Sequence, residues 1–256
     1  MPTDPLKLQW PIVLVHGLGA KSRYGPIEYF HGIPGRLRQA GNLVFVADLT
    51  SWQTLEHRKR ELHEQIDRNF PEGKVNLIGH SMGGLDCRLL AADPTISGRI
   101  ASVTTVGTPN RGCLLADLAL GILPDATLDV SQQVLEMLKL SGEGFRQITT
   151  KHMTGEFMKQ APEAEGVRYF SATSVIQGSV YRNALPMFWL THRILQRYEG
   201  ENDGFVSLHS ARWGEHICTY TGDHYAQVGQ IAGFSRGMDH HQFFDEIILR
   251  LKREGF

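Results

Sequence analysis

VNLIGHSMGG, residues 75 to 84, places a serine, Ser81, between two glycines, Gly79 and Gly83, directly after an apolar run. The G-x-S-x-G spacing is typical of a nucleophile elbow, in which a serine occupies a sharp turn between a strand and a helix. Glycines at the flanking positions remove the Cβ atoms that would collide where the two elements close up. Apolar residues then continue at helical spacing. The segment therefore predicts a strand, a turn and a helix, with Ser81 as a nucleophile.

Short apolar runs alternate with helical patterns along the rest of the chain. This alternation predicts an α/β fold, with a mostly parallel central sheet flanked by helices. We expect strands at Ile12 to Val15, Leu43 to Ala47, Val75 to Ile78, Ser102 to Val106, Val167 to Ser171 and Ile217 to Tyr220. The length of 256 residues fits a single domain covering 1–256.

The interval between the fourth and fifth predicted strands is too long for an ordinary crossover loop. We therefore predict a helical lid or cap inserted at 107–166. Within it, the nearly all-apolar segment CLLADLALGILP, residues 113 to 124, is either a lid or a buried helix. A second apolar segment, Met187 to Leu190, could line a substrate pocket or anchor the loop that carries it.

A serine hydroxyl needs a base to accept its proton, and the base needs an acid to orient it. His224 follows the last predicted strand in a turn, and we predict that it is the base. His240 and His241 are the alternatives, although they open the last helical segment, where a capping role is ordinary.

Asp203 is the predicted acid. It lies in an Asn-Asp-Gly turn before the last strand and gives the chain order Ser, Asp, His that is used by folds with this elbow. The same tripeptide is also a common turn signal. Asp223 is a weaker alternative because neighbours in a turn seldom face each other, and Asp239 is weaker still because it is placed to cap a helix.

Acyl transfer through a serine puts negative charge on the former carbonyl oxygen, which backbone N–H groups can stabilise. The residue after the nucleophile, Met82, is one expected donor of this oxyanion hole. The other is Leu18, which lies between glycines in the turn His16 to Gly19, after the first predicted strand.

Charge and cysteine content limit the class of partner and the compartment. With 26 basic and 27 acidic residues, the chain has no net field for nucleic acid, so a small-molecule or lipid partner fits better. The basic run His57 to Arg60 lies in a helical pattern and is predicted to form a solvated helix face. Three cysteines, Cys87, Cys113 and Cys218, suggest buried thiols in a reducing compartment.

The first residues, MPTDPLKLQW, do not contain a basic stretch followed by an apolar run. No apolar stretch reaches the roughly 18 residues that a membrane span needs. We therefore expect a cytoplasmic protein without a transmembrane segment. A secreted protein whose leader is absent from this chain is the alternative.

The sequence resembles the bacterial true lipases of the Pseudomonas, Burkholderia and Proteus group, in the α/β-hydrolase superfamily. The matching segments cover most of the chain: PIVLVHGLGA (11–20), YFHGI (29–33), VNLIGHSMGGLDCRLLAA (75–92), IASVTTVGTPNRG (100–112), NDGFVS (202–207) and DHYAQV (223–228). The resemblance implies that Ser81 is the nucleophile, Asp203 the acid and His224 the base, with amide donors at Leu18 and Met82. It also implies hydrolysis of carboxylic esters, commonly acylglycerols, through an acyl-enzyme.

Two departures from this family bear on the site. Many members hold a structural calcium with two aspartates, but the matching places here hold Ala226 and, approximately, Asn183. Neither side chain offers a negative charge to a cation that favours carboxylate oxygen, so we predict no calcium at this site. The predicted set of site residues likewise includes no metal ligand and no cofactor-binding residue, and we expect neither a metal nor a cofactor. Some secreted members also carry a cystine where this chain has His209, which weakens an inference of secretion.

The resemblance leaves other functions to be weighed. An acyltransferase or thioesterase would use the same triad, and a non-catalytic lipid-binding module would use the same scaffold. In the preferred interpretation the predicted lid makes transient contact with a lipid interface.

Overall fold

A sheet of six parallel strands forms the centre of the computed structural model, which describes residues 4–122, 145–230, 232–233 and 237–256. The strands are β1 Ile12–Val15, β2 Arg23–Tyr24, β3 Ile27–Glu28, β4 Val44–Ala47, β5 Val75–His80, β6 Ile100–Val106, β7 Arg168–Val175 and β8 Glu215–Thr221. The large sheet has the order β4-β1-β5-β6-β7-β8, and β2 and β3 pair separately as an antiparallel hairpin. The predicted α/β class is confirmed.

Helices connect the strands and follow the last of them. The α-helices are α1 Ile33–Gln39, α2 Leu55–Asn69, α3 Met82–Ala91, α4 Leu114–Ala119, α5 Thr150–His152, α6 Met158–Gln160, α7 Val180–Asn183, α8 Phe188–Tyr198, α9 Leu208–Ala211 and α10 His240–Arg253. A π-helical turn, Met153–Phe157, joins α5 to α6, and 3-10 turns lie at Ser97–Arg99 and Ala226–Val228. No helix in the described ranges is long and apolar enough to cross a membrane.

Both faces of the sheet are buried at its central strands β1, β5, β6 and β7, whose successive side chains point to opposite faces. Leu14 of β1 lies in the same buried cluster as Phe243 of α10. Its neighbour Val13 lies in a different cluster, with Leu62 of α2. Strands that are covered on both faces favour apolar residues at most positions, which is why short apolar runs mark them in the sequence.

Within the segment from 113 to 124, Leu114–Ala119 form a buried helix, α4. Leu115 and Leu118 of α4 are at most 1% exposed and pack in one cluster with Leu85 of α3. Leu120 and Ile122, beyond the end of α4, are 37% and 47% exposed. The end of the segment and the middle of the predicted insertion, 123–144, lie outside the described residues, so the lid stays a prediction.

The predicted solvated face of α2 is wrong at Arg58. The Arg58 side chain is fully buried and binds Asp86 of α3, with its Nη2 2.7 Å and its Nε 2.9 Å from Asp86 Oδ2. Nη2 also donates to the carbonyl oxygen of His16, at 2.8 Å. Charge alone placed Arg58 in solvent, but its helical position lies on the same stripe as the buried Leu55 and Leu62.

The three thiols are free. Cys87 and Cys113 are buried as expected, whereas Cys218 is partly exposed.

Candidate active site

Ser81 occupies a strained turn between β5 and α3. Its backbone has φ 56° and ψ −131°, a region that residues other than glycine rarely adopt. A Cβ atom at Gly79 would lie 2.3 Å from the carbonyl oxygen of Gly83, and a Cβ at Gly83 would lie 2.3 Å from that of Val15. Both glycines are therefore required by close packing of the strand and the helix, as the spacing predicted.

The turn after β1 passes directly over Ser81. A Cβ atom at Gly17 would lie 2.9 Å from Ser81 Cβ and 3.3 Å from its Oγ. Leu18, the next residue, lines the same cavity as Ser81 and Met82. Met82 is the first residue of α3, where the backbone N–H groups have no partner within the helix. The structure thus places both residues of the predicted oxyanion hole beside the serine.

His224 and Asp203 form a buried hydrogen-bonded pair. His224 Nδ1 lies 2.7 Å from Asp203 Oδ2, and Asp203 is fully buried. Asp203 Oδ1 accepts from the amides of Phe205 and Val206, at 2.9 and 2.7 Å. Because a carboxylate only accepts hydrogen bonds, His224 Nδ1 carries a proton, and a neutral ring then presents Nε2 as an acceptor.

The alternatives for base and acid have other roles. Asp239 caps α10 and accepts from the amides of His241 and Gln242. His240 contacts the carbonyl oxygen of His31, at 3.0 Å, and neither His240 nor His241 is among the described residues that line the cavity beside Ser81.

Asp223 directs its carboxylate to the backbone. It accepts from the amides of Leu185, at 2.6 Å, and Ala226, at 2.8 Å. Burial raises the pKa of Asp223. The geometry therefore pairs His224 with Asp203 rather than with its sequence neighbour.

Ser81 and His224 open into a cavity of about 390 Å³. Its walls are mainly aromatic and aliphatic, and they include Leu18, Tyr29, Trp52, Met187, Phe188 and Phe205. Within the segment 187–190, Met187 and Phe188 line the cavity, whereas the indole nitrogen of Trp189 donates to the carbonyl oxygen of Ala184. The segment therefore combines the two predicted roles, because part of it lines the pocket and part of it anchors the loop.

Two residues that the sequence did not indicate complete the surroundings. Gln227 Nε2 donates to Asp203 Oδ2 and to Ser174 Oγ, both at 2.9 Å. The Tyr29 hydroxyl lies 2.7 Å from Nδ1 of His80, the residue before the nucleophile. Gln227 lies three residues after His224, so one helical turn brings its side chain to the same side as the histidine. This spacing could have indicated a contact between Gln227 and the acid. Tyr29 gives no comparable signal.

The places matched to a family calcium are occupied by protein contacts. The amide of Ala226 binds Asp223, and Asn183 Nδ2 donates to the carbonyl oxygen of Gln177, at 2.6 Å. No group of three or more His, Cys, Asp or Glu side chains in the described part could hold a metal ion. Absence of a metal from the whole chain stays a prediction.

Comparison with known proteins gives a consistent set of relatives. A family model described as the alpha/beta hydrolase fold matches residues 11–135. A triacylglycerol lipase of Pseudomonas fragi is 30% identical, over 98% of this chain and 99% of that protein. A triacylglycerol lipase of Vibrio cholerae is 39% identical in a matching region that covers 49% of this chain and 40% of that enzyme.

Among solved structures, the mature form of Bacillus licheniformis lipase BlEst2 has a similar fold. The TM-score is 0.70 at 23% identity, with 89% of this chain and 88% of the other covered. At this identity the likeness concerns the fold.

Proposed function

We propose that this chain, which belongs to the triacylglycerol lipase group of the α/β-hydrolase superfamily and is a carboxylic-ester hydrolase, acts through a triad of Ser81, His224 and Asp203. The observation that carries the proposal is the 2.7 Å contact between His224 and buried Asp203, at a cavity shared with a serine of positive φ.

The proposed reaction begins with proton transfer from Ser81 Oγ to His224 Nε2. The serine oxygen attacks the ester carbonyl, and the amides of Leu18 and Met82 donate to the resulting oxyanion. Asp203 stabilises the imidazolium without taking its proton. His224 then protonates the leaving alcohol, which leaves an acyl-enzyme on Ser81. Water, activated by the same histidine, releases the acid and restores the serine.

The cavity supports an acylglycerol-type substrate. Apolar walls suit an acyl chain, while the polar groups that act on the ester are few and converge at Ser81. Trp52 and Met187 line the cavity yet are 53% and 49% exposed. These exposed apolar side chains support transient contact with a lipid interface at the cavity mouth, to which the predicted lid would add.

Replacing Ser81 by Ala tests the proposal. Hydrolysis of p-nitrophenyl esters should fall roughly 10,000-fold or more, because the nucleophile is lost while binding groups remain. Ser97→Ala is the matched control, since Ser97 lies in the 3-10 turn at the opposite edge of the sheet, and it should keep wild-type turnover. Retained hydrolysis in Ser81→Ala would reject the triad.

A further inference from the structure

A buried chain of hydrogen bonds runs from the amide of Gly17 to the carbonyl oxygen of His224. The Gly17 nitrogen lies 3.2 Å from the Tyr29 hydroxyl oxygen. That oxygen lies 2.7 Å from His80 Nδ1, and His80 Nε2 lies 3.0 Å from the carbonyl oxygen of His224. Tyr29 is 6% exposed and His80 is fully buried.

The direction of every bond in this chain follows from its donors and acceptors. A carbonyl oxygen only accepts, so His80 Nε2 donates to His224. In a neutral ring the other nitrogen then accepts, and the Tyr29 hydroxyl donates to it. The Tyr29 oxygen in turn accepts from the Gly17 N–H.

Burial keeps both side chains uncharged. Burial, with the nearby His224, lowers the pKa of His80 well below its usual value. Burial also raises the pKa of the Tyr29 phenol. The chain of hydrogen bonds therefore has one arrangement around neutral pH.

Three parts of the proposed machinery are attached to this series of hydrogen bonds, and its far end is the carbonyl oxygen of the proposed base, His224. Gly17 directly precedes Leu18, whose amide is a proposed oxyanion donor, and His80 directly precedes Ser81. A Cβ atom at Gly17 would lie 3.0 Å from the Tyr29 oxygen and 2.9 Å from Ser81 Cβ, so the turn fits tightly between them. A shift at either end would change the position of the oxyanion donor relative to the base.

We propose that Tyr29 and His80 are positioning residues, which hold the oxyanion turn, the serine and the base loop at fixed mutual distances. This inference rests on the proposed triad. The two side chains act through the backbones of Gly17 and His224 and make no bond to the reacting atoms. We expect these two residues to affect kcat, because the oxyanion donor, the nucleophile and the base must be aligned in the transition state.

Tyr29→Phe separates this role from a general effect on stability. We expect kcat to fall roughly 10-fold with KM changed by less than about 2-fold, because alignment is lost while substrate binding is kept. Tyr220→Phe is the matched control, since its hydroxyl bonds Glu246, at 2.8 Å, and Tyr220 is not among the described residues that line the cavity. Equal kcat in the two variants, at a temperature where both are folded, would overturn the proposal.

Two substitutions of His80 test the bonding itself. His80→Gln keeps one acceptor and one donor, whereas His80→Leu keeps neither. The Gln variant should retain a kcat roughly 5-fold or more above that of the Leu variant, because transmitted alignment depends on the bonds. Equal kcat in the two would contradict the proposal. If His80→Leu does not fold, Tyr29→Phe still decides.

Ser81→Ala in the same series distinguishes failure of this inference from failure of the triad. Turnover retained by Ser81→Ala rejects the triad. An inactive Ser81→Ala together with wild-type kcat in Tyr29→Phe rejects the positioning role alone.

Discussion

Asp203 and Asp223 show how two buried carboxylates near one histidine can differ in role. Asp203 Oδ1 accepts two backbone amides, so an asparagine at 203 would keep its oxygen there and turn its NH₂ toward His224 Nδ1. Nδ1 would then become the acceptor, and Nε2 would carry the proton and be unable to accept another from Ser81. Asp203→Asn should therefore lower kcat by about 1,000- to 10,000-fold.

Asp223→Asn is the matched comparison for this prediction. Its carboxylate binds only backbone amides in the described contacts, so we expect a loss in kcat below roughly 10-fold, as for a loop anchor. Steady-state kinetics of the two variants on one ester gives the measurement. A larger loss of kcat in Asp223→Asn than in Asp203→Asn would mean that Asp223, and not Asp203, is the acid.

Arg58 gives a prediction about stability. Its removal leaves Asp86 buried without its cationic partner, which costs about 3–5 kcal/mol in other buried pairs. Arg58→Ala should lower the free energy of unfolding by about that amount in urea titrations. The exposed neighbour Arg60 is the control, and Arg60→Ala should stay within about 0.5 kcal/mol of wild type. A decrease in the free energy of unfolding for Arg58→Ala as small as that for Arg60→Ala would mean that Arg58 is solvated.

The residues that sequence could indicate are those with a local pattern. Ser81 lies between required glycines, and Asp203 and His224 lie in turns beside strands. Tyr29 could not be found in this way, because its partner His80 is 51 positions away and nothing in the surrounding sequence encodes their contact. Arg58 was misassigned for a different reason: its helical position beside Leu55 and Leu62 indicated burial, but its charge was given more weight, and its partner on α3 is 28 positions away.

At the level of elements, the packing of α3 against β1 depends on Gly83. A Cβ at this position would lie 2.3 Å from the backbone oxygen of Val15, and backbone cannot move aside cheaply. Gly83→Ala should lower the free energy of unfolding by about 2–3 kcal/mol or prevent folding. Gly98→Ala, where nothing lies within 4 Å of the added atom, should change it by less than about 0.5 kcal/mol. Thermal or urea unfolding compares them, and a neutral Gly83→Ala would contradict the packing.

All six strands of the large sheet overlap the segments that the sequence predicted, because each of them contains a short apolar run. β7 extends four residues beyond its predicted end at Ser171, to Val175. Polar side chains hid this continuation: Ser174 is buried and its hydroxyl donates to the carbonyl oxygen of Asp223. The hairpin of β2 and β3 was missed because two-residue strands have no periodicity to detect.

At the scale of the whole molecule, stability should depend on pH through His16. Burial, with the charge of Arg58, lowers the pKa of His16 from 6.5 to about 4. Nδ1 donates to the carbonyl oxygen of Gly17, and Nε2 accepts from the amide of Leu49, so the folded state requires the neutral ring. Between these two pKa values the unfolded chain binds a proton that the folded chain does not.

The sign of the effect follows from this difference in bound protons. The contribution of His16 to the free energy of unfolding is fully present above pH 6.5. It decreases by about 3 kcal/mol as the pH falls toward about 4. Urea titrations at pH 7.5 and 4.5 give the free energy of unfolding at each pH. Its decrease between pH 7.5 and pH 4.5 should be smaller for His16→Gln than for wild type. The control is His63→Gln, on the outer part of α2, which should behave like wild type. Equal losses in all three would contradict the assignment.

The residues of the site lie together at the carboxyl ends of the strands of the large sheet. Parallel strands bring their carboxyl ends together, and the turn after β1, Ser81 after β5, and His224 after β8 all lie there. Asp203 reaches the same edge from the long connection after β7, where the amide of His224 donates to its carbonyl oxygen, at 2.8 Å. Residues far apart in sequence thus meet because of topology rather than local pattern.

The most direct measurement is mass spectrometry of protein quenched in acid during turnover of a p-nitrophenyl ester. The account predicts one added acyl group, mapped to the peptide that contains Ser81, and no added mass in Ser81→Ala. Continued turnover with no acyl group on Ser81, or with the acyl group on another residue, would contradict the account.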